Sequence, residues 1–196
     1  MLETNTTSVV LASSSPRRQA LLREAGIPFR AMTPPLHEPP ATSPPLSPTG
    51  YAEALSYFKA RTVADRCPPD ACVLGADTIV VLNGRIMGKA ADADEARQML
   101  RTLSQNPHQV ITGVCLIRGR RRLIASEATT VRMRPMTEEE IDAYVASGEW
   151  VDKAGAYAIQ ETADRYVVAV EGSFTNVVGL PIELVRRMLV EMLSDA

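Results

Sequence analysis

The stretch Cys72-Val73-Leu74-Gly75-Ala76-Asp77-Thr78-Ile79-Val80-Val81-Leu82 is apolar, rich in β-branched residues and long enough to be a central strand. Asn83-Gly84 follows at once and is the strongest short hairpin signal in the chain. A two-residue turn pairs Leu82 with Arg85 and sets the register of a return strand from Arg85 to Lys89. Continued without a bulge, that ladder pairs Thr78 with Lys89 and leaves Asp77 on the other face. Asp77 and Lys89 therefore share a pocket only if the return strand bends near Gly88. An ionised carboxylate inside a buried strand is costly unless paired or metal-bound, so Asp77 is read as functional ahead of a structural ion pair. Gly75 and Ala76 leave room beside it for a ligand or another backbone.

Toward the N-terminus, Val9 to Ala12 reads as a second buried strand, and Gln19 to Ala25 as a helix closed by Gly26. Ser15 suits the N-cap and Pro16 the first helical position, which puts Arg17 and Arg18 in the first turn. That turn is electropositive and ordinarily favours acidic residues. Two arginines there make sense if a phosphate or carboxylate sits in the helix mouth, held by guanidinium forks and backbone amides together. The plainer reading is a solvated helix start with its arginines in water.

Seven prolines between Pro34 and Pro48 mark a surface loop carrying His37 and Glu38. Tyr51, Leu55, Phe58 and Thr62 trace a helical face ending near Asp65, with Lys59 on its margin as either a snorkelling side chain or a functional ammonium. Beyond the hairpin, Asp92 and Glu95 cap a helix that buries Ala96, Met99, Leu100 and Leu103. Gln109 to Arg118 and Leu123 to Arg134 read as strands joined by a basic turn, and Thr137 with Glu140 forms a capping box for a helix to Ser147, stopped by Gly148. Asp152 to Gln160 mixes small and charged residues, as in a loop approaching a ligand or an ordinary connection. Tyr166 to Val170 and Ser173 to Val178 read as a hairpin about Glu171-Gly172, and Pro181 opens the last helix.

The 196 residues can bury a substantial core, and 45% hydrophobic with 22% charged residues is ordinary for a globular protein. No repeat or interdomain linker divides the chain, so a single domain over 1–196 is expected. A net charge of -2 and a pI near 5.8 argue against a protein that coats nucleic acid. Met1-Leu2-Glu3-Thr4-Asn5 begins no basic segment with an apolar core behind it, and no apolar run suits a membrane span, so no membrane partner is expected. Cys67, Cys72 and Cys115 fit neither a disulfide framework nor a zinc motif, which suits a reducing cytoplasm.

Together, Ser13-Ser14-Ser15-Pro16-Arg17-Arg18, Gly75-Ala76-Asp77-Thr78, Asp152-Lys153-Ala154-Gly155-Ala156-Tyr157 and Asn176-Val177-Val178-Gly179-Leu180-Pro181 resemble the Maf nucleoside triphosphate pyrophosphatases. The resemblance implies an α/β fold with a long, bent mixed β-sheet flanked by helices, two lobes with a cleft between them, and a homodimer. At the level of the fold it extends to the inosine triphosphate pyrophosphatases. It implies hydrolysis between the α and β phosphates of a nucleoside triphosphate with a divalent cation, Mg²⁺ or else Mn²⁺ or Co²⁺. By position, Asp77 matches the family's proton acceptor and a metal-associated carboxylate, and Glu38 its metal-associated acidic position. Ser13, Arg17, Arg18, Lys59 and Lys89 match its phosphate-binding positions. Arg17, Thr78 and Gln160 match the triplet of the branch acting on dTTP and UTP, and a glutamine amide can pair both a carbonyl and an imide N–H of uracil or thymine. His37, Ala90 and Ala158 depart from the family's usual residues, and Glu161 to Asp164 lack its glycine-rich continuation. The alternatives are a pyrophosphatase for 7-methyl-GTP or another modified nucleotide, and a nucleotide-binding regulator of septum formation.

Overall fold

The computed structural model describes residues 9–35, 46–160 and 162–194. In chain order these form β1 (Val9–Leu11), α1 (Pro16–Glu24), β2 (Phe29–Ala31), α2 (Pro48–Ala64), β3 (Cys72–Leu82), β4 (Arg85–Met87) and α3 (Ala93–Gln105). There follow β5 (His108–Arg118), β6 (Arg121–Met133), α4 (Glu138–Ala146), β7 (Val167–Glu171), α5 (Phe174–Val178) and α6 (Ile182–Ser194). The strands make one mixed seven-stranded sheet in the order β2-β1-β3-β5-β6-β7, with β4 added to β3. β1 runs parallel to both β2 and β3, and the remaining pairings are antiparallel.

The sheet divides along β3. One edge of this strand is taken by β5, from Val73 to Val81. The other edge is shared: β1 pairs with Cys72 to Leu74, and β4 with Val80 to Leu82. Between them Gly75 to Ile79 have no strand partner on that edge among the described residues. Asp77 lies in the middle of the gap, where β1 and β4 diverge. A chain opening of this kind at a strand's edge is where open α/β sheets place ligands.

Side-chain alternation then sorts the layers. On one face Val73, Gly75, Asp77, Ile79 and Val81 meet α2. The helix lies so close that a Cβ added at Gly75 would fall 2.3 Å from the Ser56 carbonyl oxygen, and one at Gly113 2.3 Å from that of Ala52. On the other face the sheet carries two separate cores. Leu74, Ala76, Val114 and Leu116 pack with α1 and α6, whereas Val80, Leu82 and Val110 pack with α3 and α4. These are the two lobes.

The hairpin register is as expected, with Leu82 opposite Arg85 and Asn83 at a φ of 50°. β4 stops at Met87, opposite Val80, so the ladder does not continue to pair Thr78 with Lys89. The chain bends away at Gly88, whose carbonyl accepts from the Gly155 amide, and Lys89 bridges to Ala154. The capping predictions hold at Ser15, Asp92 and Thr137, the last with both bonds of its box. One segment differs: Ser173 to Val178 is not the return strand of a hairpin. Ser173 caps α5 by accepting from the Asn176 amide, and Gly172 at a φ of 127° turns the chain off the sheet. β-branched Thr175, Val177 and Val178 supply a strand-like pattern, but the cap and the flanking glycines decide the local fold.

Candidate active site

The gap in β3 opens into a cleft of about 1090 Å³. It is lined by Ser13, Arg17 and Arg18 from the β1–α1 junction, Lys59 from α2, Asp77 and Thr78 from β3, and Lys89 and Gln160 from the far side. Every described residue singled out from the sequence therefore borders one cavity. Glu38, with His37, lies outside the described residues.

Arg18 is held on three sides. Its Nε donates to the Gly179 carbonyl at 2.8 Å, Nη2 to Thr78 Oγ1 at 3.1 Å and Nη1 to Ser13 Oγ at 3.5 Å. Gly179 makes this possible because, at a φ of 126°, it ends α5 with its carbonyl turned toward the arginine. Burial lowers the Arg18 guanidinium from its ordinary value; the Asp77 carboxylate opposes this shift and Arg17 adds to it. An arginine stays charged regardless, so its partial desolvation is a cost that an arriving anion removes. No acidic residue occupies the first turn of α1.

Asp77 is buried and its Oδ1 accepts from the Lys59 ammonium. Lys59 reaches it because Leu55 and Val63, one turn to either side, are seated in the core and Gly75 and Gly113 let α2 lie against the sheet. Asp77 is thus ion-paired within the cleft, which joins the two readings of this carboxylate. Among the described residues no three His, Cys, Asp or Glu side chains cluster as a ready metal cage.

The far wall is built from Asp152 to Gln160. Asp152 and Ala156 have φ of 59° and 61°, unusual for residues other than glycine, with Gly155 at 69° between them. Such strain persists only where the surroundings hold it, as at functional sites. Tyr157 anchors the segment: its hydroxyl is 2.7 Å from His108 Nε2. His108 Nδ1 lies 3.3 Å from the Asn106 carbonyl, so Nδ1 carries the proton and Tyr157 donates to Nε2. Burial lowers the His108 imidazole and raises the Tyr157 phenol, keeping both neutral. At the rim, Lys89 Nζ lies 3.4 Å from Asp152 Oδ1 with both side chains exposed, and Gln160 is exposed.

Gly179 and Tyr157 stand in two of the quoted motifs, but sequence reasoning gave neither of them a role here and did not single out Thr112 or His108 as parts of this region. A threonine in a strand and a buried histidine carry no signal by themselves, whereas Thr78 facing Thr112 is a product of register.

A split α/β sheet, with an acidic side chain in the gap and fixed cations on its border, defines a protein equipped to hold a small polyanion. The chain belongs to the Maf-like protein family, whose sequence model matches residues 8–192. A protein of Symbiobacterium thermophilum named dTTP/UTP pyrophosphatase is 49% identical over 183 residues, covering 93% of each chain. One of the same name from Escherichia coli O157:H7 is 46% identical over 176 residues, 90% of this chain and 88% of that one. The fold is also that of the Staphylococcus aureus Ham1 protein, with a TM-score of 0.53 at 14% identity over 94% of this chain and 99% of that one.

Proposed function

We propose that this protein hydrolyses dTTP and UTP between the α and β phosphates, releasing a nucleoside monophosphate and pyrophosphate. The observation that carries the reading is the Asp77 carboxylate in the gap of β3, paired to Lys59 and facing a cleft bordered by Arg17, Arg18 and Lys89. The names of relatives at 46–49% identity over nine-tenths of the chain support it.

Each group has a task consistent with its place. Arg18, locked by Gly179 and Thr78, presents the remainder of its N–H fork to phosphate oxygens, and Arg17 and the exposed Lys89 add charge from either side. Asp77 orients the attacking water and takes its proton, for which the carboxylate must exchange Lys59 for that water or share itself between them. Lys59, released, turns its ammonium to the phosphates. Gln160 at the rim offers both a carbonyl and an amide to the base.

A divalent cation, Mg²⁺ or else Mn²⁺ or Co²⁺, is part of the proposal. The donor set fits: a hard cation of this size takes one or two carboxylates and fills its sphere with substrate phosphates and water, and Asp77 supplies one such carboxylate. When bound, it would neutralise charge developing on the phosphates. A homodimer and a cytoplasmic setting are proposed on the family resemblance. No helix among the described residues is long and apolar enough to cross a membrane.

A panel of triphosphates with Mg²⁺, read by product identity, tests the reading. dTTP and UTP should be turned over fastest, giving monophosphate and pyrophosphate. Release of diphosphate and orthophosphate, or fastest turnover of 7-methyl-GTP, contradicts it; binding without turnover across metals and pH would favour a regulator.

A further inference from the structure

Lys89 reaches the cleft from a stretch of chain that has already left the sheet. β4 ends at Met87, and the next helix starts only at its cap, Asp92. Between them the main chain is held by the far wall: the Gly155 amide donates to the Gly88 carbonyl at 2.9 Å, and Lys89 bridges antiparallel to Ala154. The Lys89 side chain is exposed, with Nζ 3.4 Å from Asp152 Oδ1. A lysine ammonium on a flexible stem in water is placed by its backbone and its nearest charge, and here both belong to the segment from Asp152 to Gly155.

That segment has to be held. Asp152 and Ala156 are left-handed without being glycine, a conformation that carries a cost which its surroundings must offset. Two seats are visible. At Gly155 the backbone is wedged into the core of its lobe, where an added Cβ would fall 3.0 Å from Leu103 Cδ1 and 3.1 Å from Val80 Cγ2. Two residues on, Tyr157 borders the cleft but gives its hydroxyl to His108, which is buried and does not border it.

His108 opens β5 directly after the end of α3, and its Nδ1 is held by the Asn106 carbonyl. The two rings meet edge to face with centroids 5.4 Å apart, and the hydroxyl lies 2.7 Å from Nε2. A hydrogen bond of this kind has a direction and a length, so it locates the segment more closely than apolar packing alone.

We propose that Tyr157 and His108 are positioning residues for substrate binding: their buried bond pins the strained segment to the α3–β5 corner and, through Gly155 with Gly88 and Ala154 with Lys89, sets where the Lys89 ammonium meets a phosphate. This rests on the proposed function, in which Lys89 serves the phosphates.

The test is a double-mutant cycle on KM for UTP with Mg²⁺, using the wild type, Tyr157→Phe, Lys89→Ala and the two together, with a urea midpoint for each. Tyr157→Phe keeps the ring and removes the bond. KM should rise about 3- to 10-fold with kcat within about twofold, the scale of one misplaced hydrogen bond to a charged group. Lys89→Ala should raise KM about 10- to 100-fold. With Lys89 already replaced, Tyr157→Phe should change KM by less than about twofold, while lowering the urea midpoint as far as it does in the wild type. A tyrosine that only stabilises the fold would leave KM alone, or multiply it equally with and without Lys89, and either result in folded variants overturns the proposal. Should Tyr157→Phe not fold, His108→Phe removes the acceptor instead and runs the same cycle. A wild type that binds UTP without turning it over sinks the pyrophosphatase reading, and the cycle on dissociation constants then decides the role of Tyr157 separately. A wild type that neither binds nor hydrolyses triphosphates sinks both.

Discussion

The two walls of the cleft are built on opposite terms. On one, Arg18 is fixed by a glycine carbonyl, Thr78 and Ser13, and Asp77 by Lys59, all on elements seated in the core. On the other, Lys89 and Gln160 are exposed, and the segment from Asp152 to Gln160 carries two non-glycine residues in the left-handed region. Behind that rim Ala156 to Ile159 are buried, and the segment is tied down by the bond from Tyr157 to His108 and the bridge from Ala154 to Lys89. The difference divides the labour: the preorganised wall suits chemistry that must not move, and the exposed rim of the other, at Lys89, Asp152 and Gln160, suits adjustment to a substrate.

The largest effect should come from breaking the seat of the fixed wall. Gly75→Ala drives a methyl into the α2 backbone, 2.3 Å from the Ser56 oxygen and 2.7 Å from the Ala60 nitrogen. A loss of about 3 kcal/mol is expected, at the upper end of overpacking costs and measurable by urea denaturation. Activity should fall with it, because Lys59 rides on the displaced helix.

Arg18→Lys comes next. Lysine keeps the charge but cannot span Gly179, Thr78 and Ser13 with one planar fork, so KM should rise about 10- to 100-fold with a smaller change in kcat. An unchanged KM would show that the three bonds position nothing the substrate uses.

Much of this arrangement is legible in the sequence, and the exceptions have physical reasons. The central strand, its Asn83-Gly84 turn and the helix caps are local devices, so β3, α1, α3 and α4 can be read from short stretches. The bend at Gly88 could be posed as a condition because a two-residue turn fixes parity. Ser173 to Val178 reads as a strand because its β-branched residues outvote a cap in any pattern count, yet the chain there forms α5. The contacts of Arg18 were out of reach, since Gly179 is remote in sequence and joins it only when α5 packs beside α1. That Thr78 faces Thr112 follows from the β3–β5 register, which no turn sets.

The far wall is probed by pH, with the smallest expected effect. His108 is held below its ordinary value near 6.5, so on acidification the unfolded chain takes up a proton there before the folded protein does. Stability should be flat above that value and fall as the pH drops through it. His108→Gln should flatten the fall between about pH 7.5 and about pH 5.5, read as urea midpoints. An identical slope in both proteins would mean that His108 is not the group that titrates.

The central claim is that Asp77 is the base of the reaction, and Asp77→Asn tests it most directly. With shape kept and basicity removed, turnover of dTTP and UTP should fall about 100- to 10,000-fold, in a variant that still folds and still binds a non-hydrolysable triphosphate. Turnover that survives undiminished in that variant would contradict the account.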